Sequence, residues 1–173
     1  MWVYCRPKIA KGNERMDGFF CFNGGGAAAT LTGLIFVGIS INLTKIISIS
    51  KLPSMASQAL ILLLTVLIIS SLCLVPGQSA GLLGGEFLFI GTMVWIVAVR
   101  IDQRIITKTE AQYKKQYLIK IFFTQLSVLP YLISGLVMLL YGFTGLYCLI
   151  PGIAFSFIKS VLDAWVLLVE INR

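Results

Sequence analysis

The 173-residue chain contains no histidine. Histidine is the commonest metal ligand and general base. Without it, Ser-His-Asp and Cys-His catalysis, His-ligated haem and imidazole-bound zinc are ruled out. Charge is scarce: only 12% of residues are Asp, Glu, Lys or Arg, about half the share of a typical soluble domain. The four cysteines (Cys5, Cys21, Cys73 and Cys148) lie far apart and make no C-x-x-C pair, which argues against a zinc or iron–sulfur cradle. No cofactor is implied and no nucleic-acid partner, although the formal net charge is +7.

What the chain has instead is apolar side chain. Hydrophobic residues make up 58% of it and mean hydropathy is +0.93. A water-soluble fold of this size has too little interior to hide that much, so the lipid bilayer is the expected partner. A bilayer core takes about 20 apolar residues as helix. No charge occurs between Asp17 and Lys45, giving a first span at 19–43. A second uncharged stretch is divided by Pro76-Gly77-Gln78, a turn signal, into spans at 56–75 and 80–99. The stretch 121–158 is too long for one helix, and Tyr141-Gly142-Phe143-Thr144-Gly145 divides it. Spans at 121–141 and 146–169 follow. The expectation is an all-α bundle of five transmembrane helices, with residues 19–173 forming one membrane domain behind an outer tail at 1–18.

Five crossings put the termini on opposite sides. Lys45, Lys51, Arg100, Arg104, Lys108, Lys114, Lys115, Lys120 and Arg173 all fall on one side, and the positive-inside rule makes that side cytoplasmic. The placement is then a bacterial inner membrane, N-terminus outside. Arg6, Lys8, Lys11 and Arg15 conflict with it. Met16-Asp17-Gly18 would be a natural start before the first span, so residues 1–15 read as an upstream mis-start or a disordered appendage. A genuine short outer tail is the other reading.

Helices in lipid associate through close packing of small residues and through polar contacts. Gly25, Ala29 and Gly33 recur at four-residue spacing in span one, as do Gly81 and Gly85 in span three and Gly152, Ser156, Ser160 and Ala164 in span five. These ridges predict that spans one, three and five form a tight centre, with two and four outside. They serve either to pack the monomer or to dock a partner, which would be another membrane protein or a second copy.

The candidate polar cluster is Lys159 with Asp163, four apart in span five, completed by Asn42 and Gln125. An ionisable residue at mid-membrane costs about 2.5–3.5 kcal/mol on insertion scales. The pair is either a proton or ion relay, a lock with a partner helix, or an internal ion pair that fixes register. From Arg100 to Lys120 the chain carries Arg100, Arg104, Lys108, Lys114, Lys115 and Lys120 against two acids. That segment either binds anionic lipid or a partner, or only sets topology. Glu86 sits at the outer interface or faces a vestibule. Gly77-Gln78-Ser79-Ala80-Gly81 fits the G-x-S-x-G nucleophile pattern but lacks a histidine and a strand–turn–helix setting, so it reads as a hairpin turn. Asn42-Leu43-Thr44 matches a glycosylation sequon but falls at a cytoplasmic helix end. Cys21, Cys73 and Cys148 read as small buried hydrophobes, with an outer disulfide as the alternative. No catalytic or metal-binding set emerges, so no enzyme is expected.

Three stretches carry a resemblance. The run Gly24–Leu43 (GGGAAATLTGLIFVGISINL) resembles the first helix of a group of small uncharacterised bacterial multi-pass membrane proteins, as do Leu74-Val75-Pro76-Gly77-Gln78 and Ala164–Ile171. Some members of that group are labelled modulators of the membrane protease FtsH. The resemblance covers most of 16–173 and implies a regulatory partner role; it brings no catalytic residues. The expected function is that of a non-enzymatic accessory or modulator binding another membrane protein. The alternative is a small oligomeric transporter or proton-coupled channel using Lys159, Asp163, Gln125 and Asn42.

Overall fold

A computed structural model describes residues 8–49, 52–107 and 114–171. Every regular element among them is helical: α1 (Lys8–Ile41), α2 (Leu43–Ser48), α3 (Leu52–Cys73), α4 (Ala80–Thr107), α5 (Lys114–Tyr141), a 3-10 turn (Gly142–Cys148) and α6 (Leu149–Ile171). Four stretches are long and apolar enough to cross a membrane: Gly18–Ile41, Leu52–Cys73, Ala80–Arg104 and Ile121–Val169. The last differs from the expected two separate spans. Its 49 residues stay apolar through the 3-10 turn, so hydropathy alone does not divide it although the backbone does.

The breaks have local causes. Gly77 (φ +80°) follows Pro76, and Gly142 (φ +70°) ends α5. Both adopt the left-handed backbone that glycine accepts without a Cβ clash. Ser79 caps α4: its Oγ accepts from the Leu82 N–H at 3.4 Å, and its carbonyl accepts from the Leu83 N–H at 3.1 Å. Ser79 is thus a helix N-cap, which is its structural use in the G-x-S-x-G run. Residues 1–7 of the expected tail lie outside the described residues. From Lys8 the backbone is helical and continuous with span one.

The helices alternate in direction. Gly25 lies against Ser70, and Ile39 packs with the cluster containing Met55 and Ala56, so α1 and α3 are antiparallel. Gly84 lies against Leu139 and Gly91 against Leu132, so α4 and α5 are antiparallel. The Ser134 hydroxyl donates to the Gly145 carbonyl at 2.8 Å, and the Tyr131 hydroxyl donates to the Gly152 carbonyl at 3.1 Å and meets Ser156 Oγ at 2.7 Å. These bonds fold α6 back along α5.

The centre is not the one expected. Helix α3 occupies it, packed by α1, α4 and α6. Half of its apolar stretch is buried, against 6% for α1. Within the small-residue ridges, Gly25 meets Ser70, and Gly152 meets Pro130 and Tyr131, while Ser156 and Ser160 are buried. Ala164 is half-buried. Ala29 is exposed, and Gly33, Gly81 and Gly85 have open space where a Cβ would stand. The close approach in α4 falls one position away, at Gly84, and again at Gly91, against Gly135 and Leu132 of α5. A residue step turns a helix by about 100°, which is enough to move a ridge from the interface to the lipid side.

Candidate functional site

Lipid is as apolar as leucine, so buried polar side chains mark the site. Gln58 on α3 is 3% exposed. Its Nε2 donates to Asp102 Oδ1 on α4 at 3.0 Å and to Thr124 Oγ1 on α5 at 3.1 Å. One amide therefore ties three helices. The next residue on α3, Ala59, accepts a 3.2 Å bond through its carbonyl from Ser160 Oγ of α6. Lys159 and Asp163 flank Ser160, and the Lys159 ammonium donates to Asp163 Oδ2 as an ion pair four residues apart. These six side chains come from four helices, and none is more than 7% exposed.

The registers place them in one layer. Gln58 sets the level of Asp102 and Thr124 through direct bonds, and Ala59 sets that of Ser160. Lys159 is one residue and Asp163 three residues from Ser160, on opposite sides of it, a spread of about 6 Å along the axis. The layer sits in the first third of α3. Above it, α3 contributes no charged residue along its whole length. Among the described residues, no group of three His, Cys, Asp or Glu could hold a metal ion.

Two members of the expected cluster stand elsewhere. Asn42 Nδ2 donates to the Gly38 carbonyl at 3.1 Å, on its own helix, at the break between α1 and α2. Gln125 Oε1 accepts from Trp95 Nε1 at 2.8 Å, outside the bundle interior. Gln125 is one residue past buried Thr124, so the helix turn carries it from α3 towards α4. Gln58, Asp102 and Thr124 take their places. Gln58 was legible as the lone amide in an uncharged span. Asp102 was hidden because span three was ended at residue 99, whereas α4 runs to Thr107.

Of the basic segment, Arg100 and Arg104 are exposed on α4. Lys108 lies outside the described residues, as do the side chains of Lys114, Lys115 and Lys120. At the other end of α4, Gln78 Nε2 donates to Glu86 Oε2 at 3.4 Å. Cys21, Cys73 and Cys148 are in no disulfide among the described residues; Cys21 is buried and the other two half-buried.

A second feature lies on α1. Its inner face presents Cys21, Gly25, Ala28 and Ile39 towards α3 and the core. The opposite face presents Gly26, Thr30, Gly33 and Val37, all exposed, and a Cβ added at Gly26 or Gly33 would meet nothing within 4 Å. Thr30 returns its hydroxyl to the Gly26 carbonyl at 2.9 Å, so the stripe is smooth and carries no unsatisfied polar group. No protein-family model matches this chain, and no curated protein or solved structure is significantly similar to it.

Proposed function

We propose that this chain is a non-enzymatic accessory protein of a bacterial inner membrane that modulates another membrane protein by docking a helix on the outward stripe of α1. The observation that carries this reading is the stripe itself. Glycine inside a helix is unfavourable by roughly 0.5–1 kcal/mol relative to alanine, and a Cβ at Gly26 or Gly33 would touch nothing within 4 Å. Lipid gains nothing from such a groove, whereas a partner helix approaches closely over small residues.

The same reading has five crossings with the N-terminus outside. A continuous helix over 121–169, 49 residues, would run about 74 Å, more than twice the roughly 30 Å hydrocarbon core. The fold-back of α6 on α5 supports two crossings there. The positive-inside rule supports a cytoplasmic placement for Arg100 and Arg104. The resemblance of the first helix to bacterial proteins labelled as protease modulators makes a membrane protease the first partner to test.

A photoreactive side chain at Val37 tests the docking reading in native membranes, with the same probe at Trp165 of α6 as control. The expected result is one protein adduct at Val37, absent at Trp165 and lost when Gly33 is changed to Leu. Identical products at both sites, or indifference to Gly33→Leu, would refute it. A second reading, a small proton-coupled transporter or channel acting as an oligomer, is favoured by the buried layer alone.

A further inference from the structure

Helix α4 has two distinct faces. At about 100° per residue, Phe89, Met93, Ile96, Arg100 and Arg104 fall within one sector of about 80°, and all five are exposed. Phe87, Ala98 and Asp102 fall on the opposite side and are buried. The exposed sector is therefore a lipid-facing stripe, and it ends in two arginines one turn apart. Helix length sets their depth. The rise from Ala80, the first residue of α4, to Arg100 is about 30 Å, the thickness of the hydrocarbon core. Arg104 lies about 6 Å further on, and the headgroup layer beyond the core is about 5–7 Å deep on each side. The pair thus spans the layer that holds the lipid phosphates.

We propose that this stripe of α4 binds an anionic phospholipid, its phosphate held by Arg100 and Arg104 and its acyl chains laid along Phe89, Met93 and Ile96. A guanidinium has five N–H donors in a planar fork. It matches phosphate oxygens two at a time, with donors left over for contacts within the protein. A long arginine stem covers apolar surface while its charged head stays at the interface, so both guanidiniums reach one phosphate level.

Two observations favour a lipid over a protein helix as the occupant. From Phe89 to Arg104 the stripe carries no glycine, alanine or serine, the small residues over which helices approach closely in a membrane. The outward stripe of α1, by contrast, carries Gly26 and Gly33. The charge also complements an anion. The acids of α4 are Glu86, about 21 Å from Arg100 along the axis, and Asp102, buried on the opposite face. Helices α3 and α5, which pack against α4, contain no acid. Lipid binding on α4 is separate from docking on α1, and it does not depend on which compartment this leaflet faces.

The test uses the full chain in phosphatidylcholine bilayers with a tryptophan reporter on the stripe, Ile96→Trp, after Trp2, Trp95 and Trp165 are each changed to Phe. Phosphatidylglycerol brominated on its acyl chains is added, and quenching gives its affinity relative to brominated phosphatidylcholine. Bromine on the chain reports the intact lipid and not a free phosphate. Each basic residue near the surface attracts anionic lipid, so the expected preference for phosphatidylglycerol is about fivefold or more. It falls to parity in Arg100→Gln with Arg104→Gln. It persists in Lys45→Gln, which removes an exposed charge elsewhere. A second reporter, Ile158→Trp on the exposed side of α6, shows no preference. All variants are compared at helix content matched by circular dichroism. Parity at the α4 reporter with both arginines present would overturn the proposal. So would a preference that survives the loss of both arginines, or an equal preference at the two reporters.

Discussion

Gly135 of α5 is the position where a single methyl group has the most predictable effect. A Cβ there would stand 2.9 Å from both the backbone N and Cγ of Leu88 and 3.0 Å from the Gly84 carbonyl. Two of those three atoms are α4 backbone, so rotating a side chain does not relieve the clash. The helices must part by about half an ångström, and overpacking of this kind typically costs about 1–3 kcal/mol. Alanine recovers roughly 0.5–1 kcal/mol of helix propensity. The net expectation for Gly135→Ala is therefore a loss of about 1–2 kcal/mol. Gly85→Ala is the matched control: nothing lies within 4 Å of its Cβ, so stability should hold or rise slightly. Unfolding in mixed micelles with increasing mole fraction of dodecyl sulfate, followed by circular dichroism, gives both values under the same conditions. Should Gly135→Ala prove as stable as the parent, or Gly85→Ala the more damaging, the α4–α5 interface is rotated from the one described.

Three further outcomes follow from the geometry. Gln58→Leu removes the amide that serves Asp102 and Thr124 and should destabilise by about 1–3 kcal/mol; a double-mutant cycle with Thr124→Val should show coupling between the two positions. Tyr131→Phe loses the hydroxyl contacts to Gly152 and Ser156, and about 0.6–1.7 kcal/mol is expected in the same micelle assay. With native cysteines replaced, a cysteine at Ser79 should react with a membrane-impermeant maleimide in intact cells, and one at Arg104 only after permeabilisation; the reverse pattern would invert the orientation.

Helix positions were largely legible in the sequence because charge and hydropathy mark where a chain enters and leaves lipid. Spans expected at 56–75 and 121–141 correspond to helices at Leu52–Cys73 and Lys114–Tyr141. The identity of the central helix was not legible. In water, a buried face differs from an exposed one by hydrophobicity. In lipid both faces are apolar, and α3 is leucine- and isoleucine-rich all round. Small-residue spacing was the remaining signal, and it carried a phase error: Gly81 and Gly85 stand at the expected interval, but Gly84 and Gly91 make the contacts. The Lys159–Asp163 pair was legible from spacing alone. Its companions were not, since the amide and hydroxyl that complete the layer depend on how α4 and α5 dock against α3. Gln125 and Thr124 are equally polar and adjacent in sequence; only the packing decides which of them points inward.

The ion pair on α6 also allows structure and chemistry to be separated by stability alone. Removing one partner strands the other, and an uncompensated buried charge costs about 3–5 kcal/mol. Lys159→Met alone should therefore destabilise strongly. Removing both is a different perturbation. Replacing a buried ion pair with apolar residues of similar volume is often neutral, or stabilising by about 1–4 kcal/mol, and here the bond between the two lies within one helix. The double variant Lys159→Met with Asp163→Leu should accordingly be at least as stable as the parent. If it is as unstable as Lys159→Met alone, these charges anchor α6 to its neighbours and packing suffices to explain them. If the double variant is as stable as the parent, the two charged residues are dispensable for the fold.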